Sequence, residues 1–254
     1  MHYLASYFYF QHSVLIFVLA YTRLSIAFYM LPVLGRQVLS NFLIKNMLIS
    51  LTIIGLWPCI RTVMIVEQSC IILLTKECII GLMLAMTLCI PFWVVMGFGE
   101  IMDNQRGATI SDSIDPVNGS QSSILSGFFN FTLGAIFFSS GGMKRVIAVM
   151  SQSYHVFPIG SSLGLIHWAL VGRILQMLMQ NSILLAAPVM LSMMLSEILL
   201  GVFSRYCPQL NAFSLSLTIK SFIVFFIFIY YGFDAFSEKT LQMFSLSAFQ
   251  QFIF

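Results

Sequence analysis

Long stretches without charge dominate the chain and predict helices long enough to cross a membrane, which takes about 20 apolar residues each. Three windows carry no charge and three carry a single cation: 78–99, 124–143 and 174–196, then 14–31 with Arg23, 42–57 with Lys45 and 213–233 with Lys220. The uncharged stretch 146–172 contains Pro158 and Gly160. We interpret it as two shorter helices joined by a turn.

Two helical stretches are too long for one simple span. Residues 63–100 and 163–204 are interrupted only briefly. At about 1.5 Å per residue, some 38 residues would extend about 57 Å, against a hydrocarbon core of about 30 Å. Each stretch must tilt, fold into a hairpin, or leave the bilayer and pack on protein. Pro91 and Pro188 are the predicted kink points.

Composition narrows the class of protein. Hydrophobic residues make up 59% of the chain and charged residues 8%, whereas a soluble domain has about 45–50% and about 25%. The sequence therefore predicts an all-α polytopic membrane protein, or a subunit almost wholly enclosed by partners. A net charge of +3 without a basic run excludes nucleic acid as the expected partner. The first apolar segment lacks signal-peptide features, so we expect it to stay in the protein.

Charged side chains inside the apolar stretches predict contacts with protein. A Lys or Arg near the middle of a lipid-facing helix costs about 2.5–3.5 kcal/mol on insertion scales. Arg23 and Lys220 have no oppositely charged neighbour in the sequence. Their counter-groups are expected from elsewhere in the fold or from another subunit. The alternative is that each charge marks a helix end, where a long side chain reaches the membrane surface.

One polar segment, 107–123, separates the helices in the middle of the chain. Loops longer than about 12–15 residues are usually functional or disordered; a plain solvated connection is the alternative. Before it, Asp103 and Arg106 are spaced to pair on one helix face. Glu197 and Arg205 share a face about two turns apart and predict a common polar junction. The tail, 234–254, is amphipathic and predicted to lie along a membrane or a partner.

The sequence gives little support for catalysis, a metal or a cofactor. A G-x-S-x-G pattern at Gly160, Ser162 and Gly164 lacks the strand–turn–helix context of a hydrolase nucleophile. The same glycines fit a close helix contact. The four histidines and five cysteines show no metal-ligand spacing. We therefore expect no enzyme activity.

Several motifs occur in a fixed order: K-E-C-I-I-G-L-M-L at 76–84, E-I-M-D-N-Q-R-G at 100–107, D-P at 115–116, and E-x-x-L-G…S-R-x-x-P-Q-L-N-x-F at 197–213, followed by Lys220. Together they resemble the SctT/FliR family of export-gate subunits of type III secretion systems and flagella. Arg23 and the P-x-L-G at 32–35 fit the same pattern. The serine-rich loop and short tail resemble the SpaR-type virulence branch of injectisomes.

The resemblance implies one domain over 1–254, built from long kinked helices and helical hairpins in a hetero-oligomeric helical pore complex. It places that complex at the bacterial inner membrane, displaced toward the periplasm. Implied partners are SctR-like and SctS-like subunits, an SctU-like switch protein, an SctV-like export protein, inner-rod and needle proteins, unfolded secreted polypeptides and membrane lipid. No cofactor is implied. Many flagellar members carry prolines near Thr218 and Leu39, and the absence of these prolines here weakens any transfer of their local helix geometry.

The resemblance also assigns candidate residues. The segment 107–123 corresponds to a plug that closes the pore, with the candidates Gly107, Ile110, Asp112, Asp115, Pro116, Asn118 and Gly119. A second set comprises charged or polar candidates for an assembly junction: Arg23, Lys76, Glu77, Glu100, Asp103, Arg106, Glu197, Arg205, Pro208, Gln209, Asn211 and Lys220. The leading hypothesis is a non-enzymatic export-gate subunit. The alternatives are a stand-alone small-solute transporter, which would need an internal repeat, and a membrane hydrolase using Ser162.

Overall fold

The computed structural model describes residues 2–35, 41–60, 70–106, 123–159, 169–207, 212–227 and 229–230. The α-helices in these ranges are α1 (His2–Met30), α2 (Phe42–Ile60), α3 (Cys70–Gln105), α4 (Ile124–Ser139), α5 (Gly142–Val156), α6 (Ala169–Tyr206) and α7 (Ala212–Ile227). The described residues contain no strand. The all-α prediction is confirmed.

Several helices are long and apolar enough to cross a membrane. Four qualify within the described ranges: Tyr9–Met30, Phe42–Ile60, Cys70–Gln105 and Gly172–Tyr206. The consecutive helices α4 and α5 would add a fifth span if they were counted together. Large apolar side chains such as Ile71 and Phe131 are 77% and 72% exposed, so the outer surface suits lipid or protein contact.

The described parts of the two overlong stretches, 70–100 and 169–204, each lie in one continuous helix. Helix α3 runs through Pro91, and α6 runs through Pro188. A hairpin within either helix, one of the three alternatives raised by their length, is therefore wrong. A proline removes one backbone hydrogen bond, but the surrounding apolar turns maintain the helix. Tilting and packing on protein remain predictions.

One predicted helix ends earlier than its hydrophobicity suggested. The apolar window 124–143 predicted one helix, but α4 ends at Ser139. Gly141 follows with φ of 72°, a left-handed conformation that favours glycine, and α5 begins at Gly142. The break expected at Pro158 is confirmed, because α5 ends at Val156. Residues 160–168 lie outside the described residues.

The first compact unit includes the described parts of Met1–Ile90 and Gly141–Ile174. Helices α1 and α2 form an antiparallel hairpin, in which the Tyr21 and Tyr29 hydroxyls both donate to Asn46 Oδ1, at 3.0 and 2.7 Å. Apolar side chains at helical spacing form the core of this unit: Leu19, Leu24 and Phe28 on α1, Ile49, Ile53 and Ile60 on α2, Leu73, Ile80 and Leu84 on α3, and Val146 and Met150 on α5.

The second unit includes the described parts of Pro91–Ser140 and Leu175–Met243. The end of α3 and helix α4 run antiparallel, with Phe92 against Phe137 and Phe98 against Phe129, at ring-centroid distances of 5.6 and 4.9 Å. Gly99 allows the closest approach, since a Cβ there would lie 2.5 Å from Ser126 Cα. The hairpins in both units confirm the predicted helical-hairpin architecture.

Candidate functional site

Arg23 is the centre of a buried ion cluster in the first unit. Its Nε donates to Glu77 Oε2 at 2.6 Å and its Nη2 to Glu77 Oε1 at 3.0 Å, which makes a bidentate pair. Nη2 also donates to the Phe157 carbonyl at 3.0 Å, while Nη1 reaches the carbonyl and hydroxyl of Ser153 at 3.3 and 3.5 Å. All five guanidinium N–H groups therefore have acceptors. The Tyr154 ring lies 4.4 Å from the guanidinium carbon.

This Arg23 cluster joins three helices that are distant in sequence. Arg23 belongs to α1, Glu77 to α3, and Ser153 to the last turn of α5. Arg23 is fully buried and Glu77 is 2% exposed. The cation also faces carbonyls at the C-terminus of α5, where the helix dipole favours positive charge. The prediction that the counter-charge of Arg23 comes from elsewhere in the fold is confirmed.

The K-E-x-x-x-G motif has a structural reason in the same place. A Cβ on Gly81 would lie 2.8 Å from the carbonyl oxygen of Arg23, so only glycine allows α1 and α3 to approach this closely. Glu77, one turn earlier on the same face, then reaches the guanidinium. Lys76 is half-buried beside it. The spacing between Glu77 and Gly81 thus places the carboxylate at the Arg23 guanidinium and the glycine against the Arg23 backbone.

Asp103 organises the end of α3 in the second unit. Its Oδ1 accepts from Arg106 Nε at 2.6 Å, which confirms the predicted pair. Its Oδ2 accepts from the Ser123 hydroxyl and from the Leu125 amide, the latter at 3.0 Å. Ser123 in turn caps α4 by accepting from the Ser126 amide. One carboxylate therefore binds the residues on both sides of segment 107–122.

Lys220 forms a second ion pair near the same helix end. Its Nζ lies 3.2 Å from Glu197 Oε1 and donates to the Gln105 carbonyl at 3.2 Å. The lysine side chain is 8% exposed, whereas that of Glu197 is 62% exposed. The predicted distant counter-charge of Lys220 is thus also confirmed. Because Gln105 ends α3, the lysine stabilises an otherwise unpaired C-terminal carbonyl.

Of the remaining candidates, the two that the structure describes do not join these clusters. Glu100 and Arg205 are exposed on their helices. The plug candidates from Gly107 to Gly119 lie outside the described residues, as do Pro208, Gln209 and Asn211, the Ser162 pattern and the tail 234–254. In the parts of the chain that the structure describes, no three His, Cys, Asp or Glu residues lie close enough to hold a metal ion.

Sequence reasoning missed Ser123, Ser153, Phe157, Gly99 and the role of Gly81. A serine immediately before an apolar run is a helix N-cap signal, and could have identified Ser123. The carbonyls of Ser153 and Phe157 are backbone groups, which carry no residue-type signature. The described buried charges have close partners, so the arrangement fixes helices relative to each other within each unit.

Comparison with known proteins gives the family. The sequence model described as "Bacterial export proteins, family 1" matches residues 14–246. The surface presentation of antigens protein SpaR of Salmonella typhimurium is 35% identical over 242 residues, covering 94% of this chain and 91% of that protein. The Yop proteins translocation protein T of Yersinia pestis is 30% identical over 240 residues, covering 92% of each.

One relative has a higher identity, but its alignment covers a smaller part of the chain. The SpaR protein of Shigella flexneri is 46% identical over 155 residues, which are 61% of this chain, so the match spans about three-fifths (60%) of that relative. The family match and the two longer alignments nevertheless extend through both units. This chain belongs to the bacterial export proteins, family 1, which is the SctT/FliR family, and it matches SpaR-type members of that family.

Proposed function

We propose that this chain is a non-enzymatic subunit of the type III secretion export apparatus in the bacterial inner membrane. The observation that carries the proposal is the extent of the family match, which reaches from residue 14 to residue 246. A relative named for protein translocation aligns with 92% of the chain. Family membership also favours secretion over the small-solute transporter.

Assembly with other subunits gives the exposed apolar surface a role. In the proposed arrangement, both compact units belong to a single export domain that packs with SctR-like and SctS-like subunits around a pore for unfolded polypeptides. SctU-like, SctV-like, inner-rod and needle proteins would contact this assembly, and lipid would cover the rest. Periplasmic displacement of the complex belongs to the same proposal. The Arg23 cluster would give the subunit a fixed shape before it assembles, since its charges are paired within the chain.

Segment 107–123 is the proposed plug of that pore. Asp103 supports this assignment, because it binds Arg106 before the segment and Ser123 at its end. In this proposal, Asp103 holds the helix ends on both sides of the segment in place while a polypeptide passes. Such a segment would block ions at rest and yield to a passing chain.

Co-purification tests the proposed function. The tagged chain is produced with its SctR-like and SctS-like subunits, solubilised in mild detergent and analysed by size exclusion and mass spectrometry. We expect one stable complex containing all three proteins. As a control, the tag is moved to the SctR-like subunit. If the other subunits form their complex and this chain consistently elutes alone, the proposal is wrong.

Ion leakage tests the plug separately. Residues 110–119 are deleted, and a matched variant carries a ten-residue Gly/Ser linker in their place. Both variants should assemble, but vesicles that contain either complex should conduct ions at rest, whereas the wild-type complex should not. Unchanged permeability in a fully assembled deletion complex would contradict the plug assignment.

A further inference from the structure

Helix α6 presents a charged strip on an exposed apolar face. Glu197, Gly201 and Arg205 follow one another at four-residue spacing and are all exposed. Met194 and Ile198 beside them are 53% and 57% exposed. Residues four apart lie on the same side of a helix. The strip therefore has an anion at one end, a glycine in the centre and a cation at the other end.

The two partners in the Glu197–Lys220 pair have different environments. Lys220 points inward, bonded to Glu197 and to the end of α3. Glu197 stays 62% exposed, and its Oε2 has no hydrogen-bond partner among the described residues. The lysine therefore stabilises contacts inside the unit. The carboxylate keeps free acceptor capacity that faces outward.

The depth of Glu197 along the helix makes this exposure informative. Arg205 lies one residue from the end of α6, close enough for its guanidinium to reach a membrane surface. Glu197 lies eight residues earlier, about 12 Å along the helix axis. A glutamate side chain is too short to span that distance. Lys220 pairs with Oε1, so the exposed Oε2 is the atom that would need a further protein donor at such depth, because lipid chains offer none.

Gly201 leaves space for a neighbouring helix one turn from Glu197. A Cβ added there would meet no atom within 4 Å, so packing within the described chain does not require glycine. Glycine inside a helix costs about 1 kcal/mol relative to alanine. Exposed glycines on apolar helices allow a second helix backbone to approach closely. The same site thus combines an unsatisfied acceptor with space for a partner.

We propose that the Glu197–Gly201–Arg205 strip binds an apolar helix of a partner subunit. That helix packs against Gly201 and carries a basic or amide side chain that donates to Glu197. It offers an acceptor to Arg205, about 12 Å further along. The proposal rests on the proposed function, since an export complex is what supplies such a helix.

A second copy of this chain fits the strip poorly. Two copies inserted with the same orientation would align their α6 helices in parallel about a twofold axis. Glu197 would then face Glu197 of the other copy, and Arg205 would face its equivalent. Like charges in this position repel, and no hydrogen bond forms between two carboxylates. Charge complementarity therefore favours a different chain.

Site-specific photo-crosslinking tests the strip in the full-length chain. A photoreactive residue replaces Ile198, in cells that produce the secretion apparatus. We expect the main adduct to be a membrane protein whose apolar helix carries Lys, Arg, Asn or Gln at the linked position. Gly201→Leu should lower the yield about tenfold, equivalent to about 1.4 kcal/mol. Gly172→Leu is the matched control, because that glycine is also exposed on α6 with nothing within 4 Å.

A double variant tests the charge. Glu197→Leu combined with Lys220→Met removes the outward carboxylate without leaving the lysine buried alone, and should also lower the adduct about tenfold. Unchanged thermal stability of each variant shows that the fold is retained. Adducts only with lipid or a second copy, or yields unaffected by Gly201→Leu, overturn the inference. An adduct with a membrane protein outside the apparatus, still sensitive to Gly201→Leu, supports the strip but contradicts the proposed function.

Discussion

Replacing Arg23 by methionine is expected to lower the free energy of unfolding by about 3–5 kcal/mol, the usual cost of leaving one member of a buried ion pair alone. Glu77 is 2% exposed and would lose both donors of its bidentate pair. The carbonyls of Ser153 and Phe157 would lose donors as well. Because each kcal/mol shifts Tm by about 2–4 °C in chains of this size, we expect a decrease of about 6–20 °C.

The assay is thermal unfolding of the full chain in detergent, followed by near-ultraviolet circular dichroism. Adding Glu77→Leu to Arg23→Met removes the stranded carboxylate and should recover at least about 2 kcal/mol. Arg173→Met is the control, since Arg173 is exposed and its loss should change stability by less than about 0.5 kcal/mol. The reasoning is refuted if Arg23→Met unfolds like the wild type, or if the double variant is less stable than the single one.

Two further predictions use the same unfolding measurement. Gly81→Ala should cost about 1–3 kcal/mol, because its Cβ would lie 2.8 Å from the Arg23 carbonyl oxygen. Gly55→Ala has open space and should be neutral or stabilise by up to about 1 kcal/mol; equal stability of the two would contradict the contact. Asp103→Ala should cost about 1–3 kcal/mol through the lost acceptor for a hydroxyl and an amide. Exposed Glu100→Ala is the control, and an equal effect would argue against the cap.

The sequence predicted the long helices because an apolar segment of more than 20 residues satisfies its backbone hydrogen bonds in a membrane by forming a helix. It also indicated that Arg23 and Lys220 need distant partners, since charge in an apolar stretch is costly wherever it lies. Asp103 and Arg106 were predictable as a pair, because three-residue spacing on a helix brings side chains together. These inferences depend on local spacing or on charge alone.

The remaining contacts depend on how distant helices meet. Arg23 and Glu77 are 54 residues apart, and no spacing rule connects them. The early end of α4 at Ser139 was missed because hydrophobicity continues beyond it, and only the Gly141–Gly142 pair signals the break. Nothing in the sequence distinguishes Gly99 from other glycines in apolar helices, because the Ser126 backbone that packs against it belongs to α4. Tertiary approach, which sequence periodicity does not encode, decides the contacts of Arg23 and Gly99, whereas the end of α4 depends on a local glycine conformation.

The order in which the chain is synthesised decides when the Arg23 cluster can form. The ribosome completes α1 well before Glu77, and Ser153 follows Arg23 by 130 residues. At about 5–20 residues per second, the arginine waits on the order of ten seconds for its last acceptors. During that interval α1 carries an unneutralised guanidinium that bilayer insertion penalises. A nascent chain stopped before α5 therefore lacks the Ser153 and Phe157 acceptors that help to hold α1 in place. We expect such truncated chains to be extracted from the membrane and degraded more readily than full-length ones.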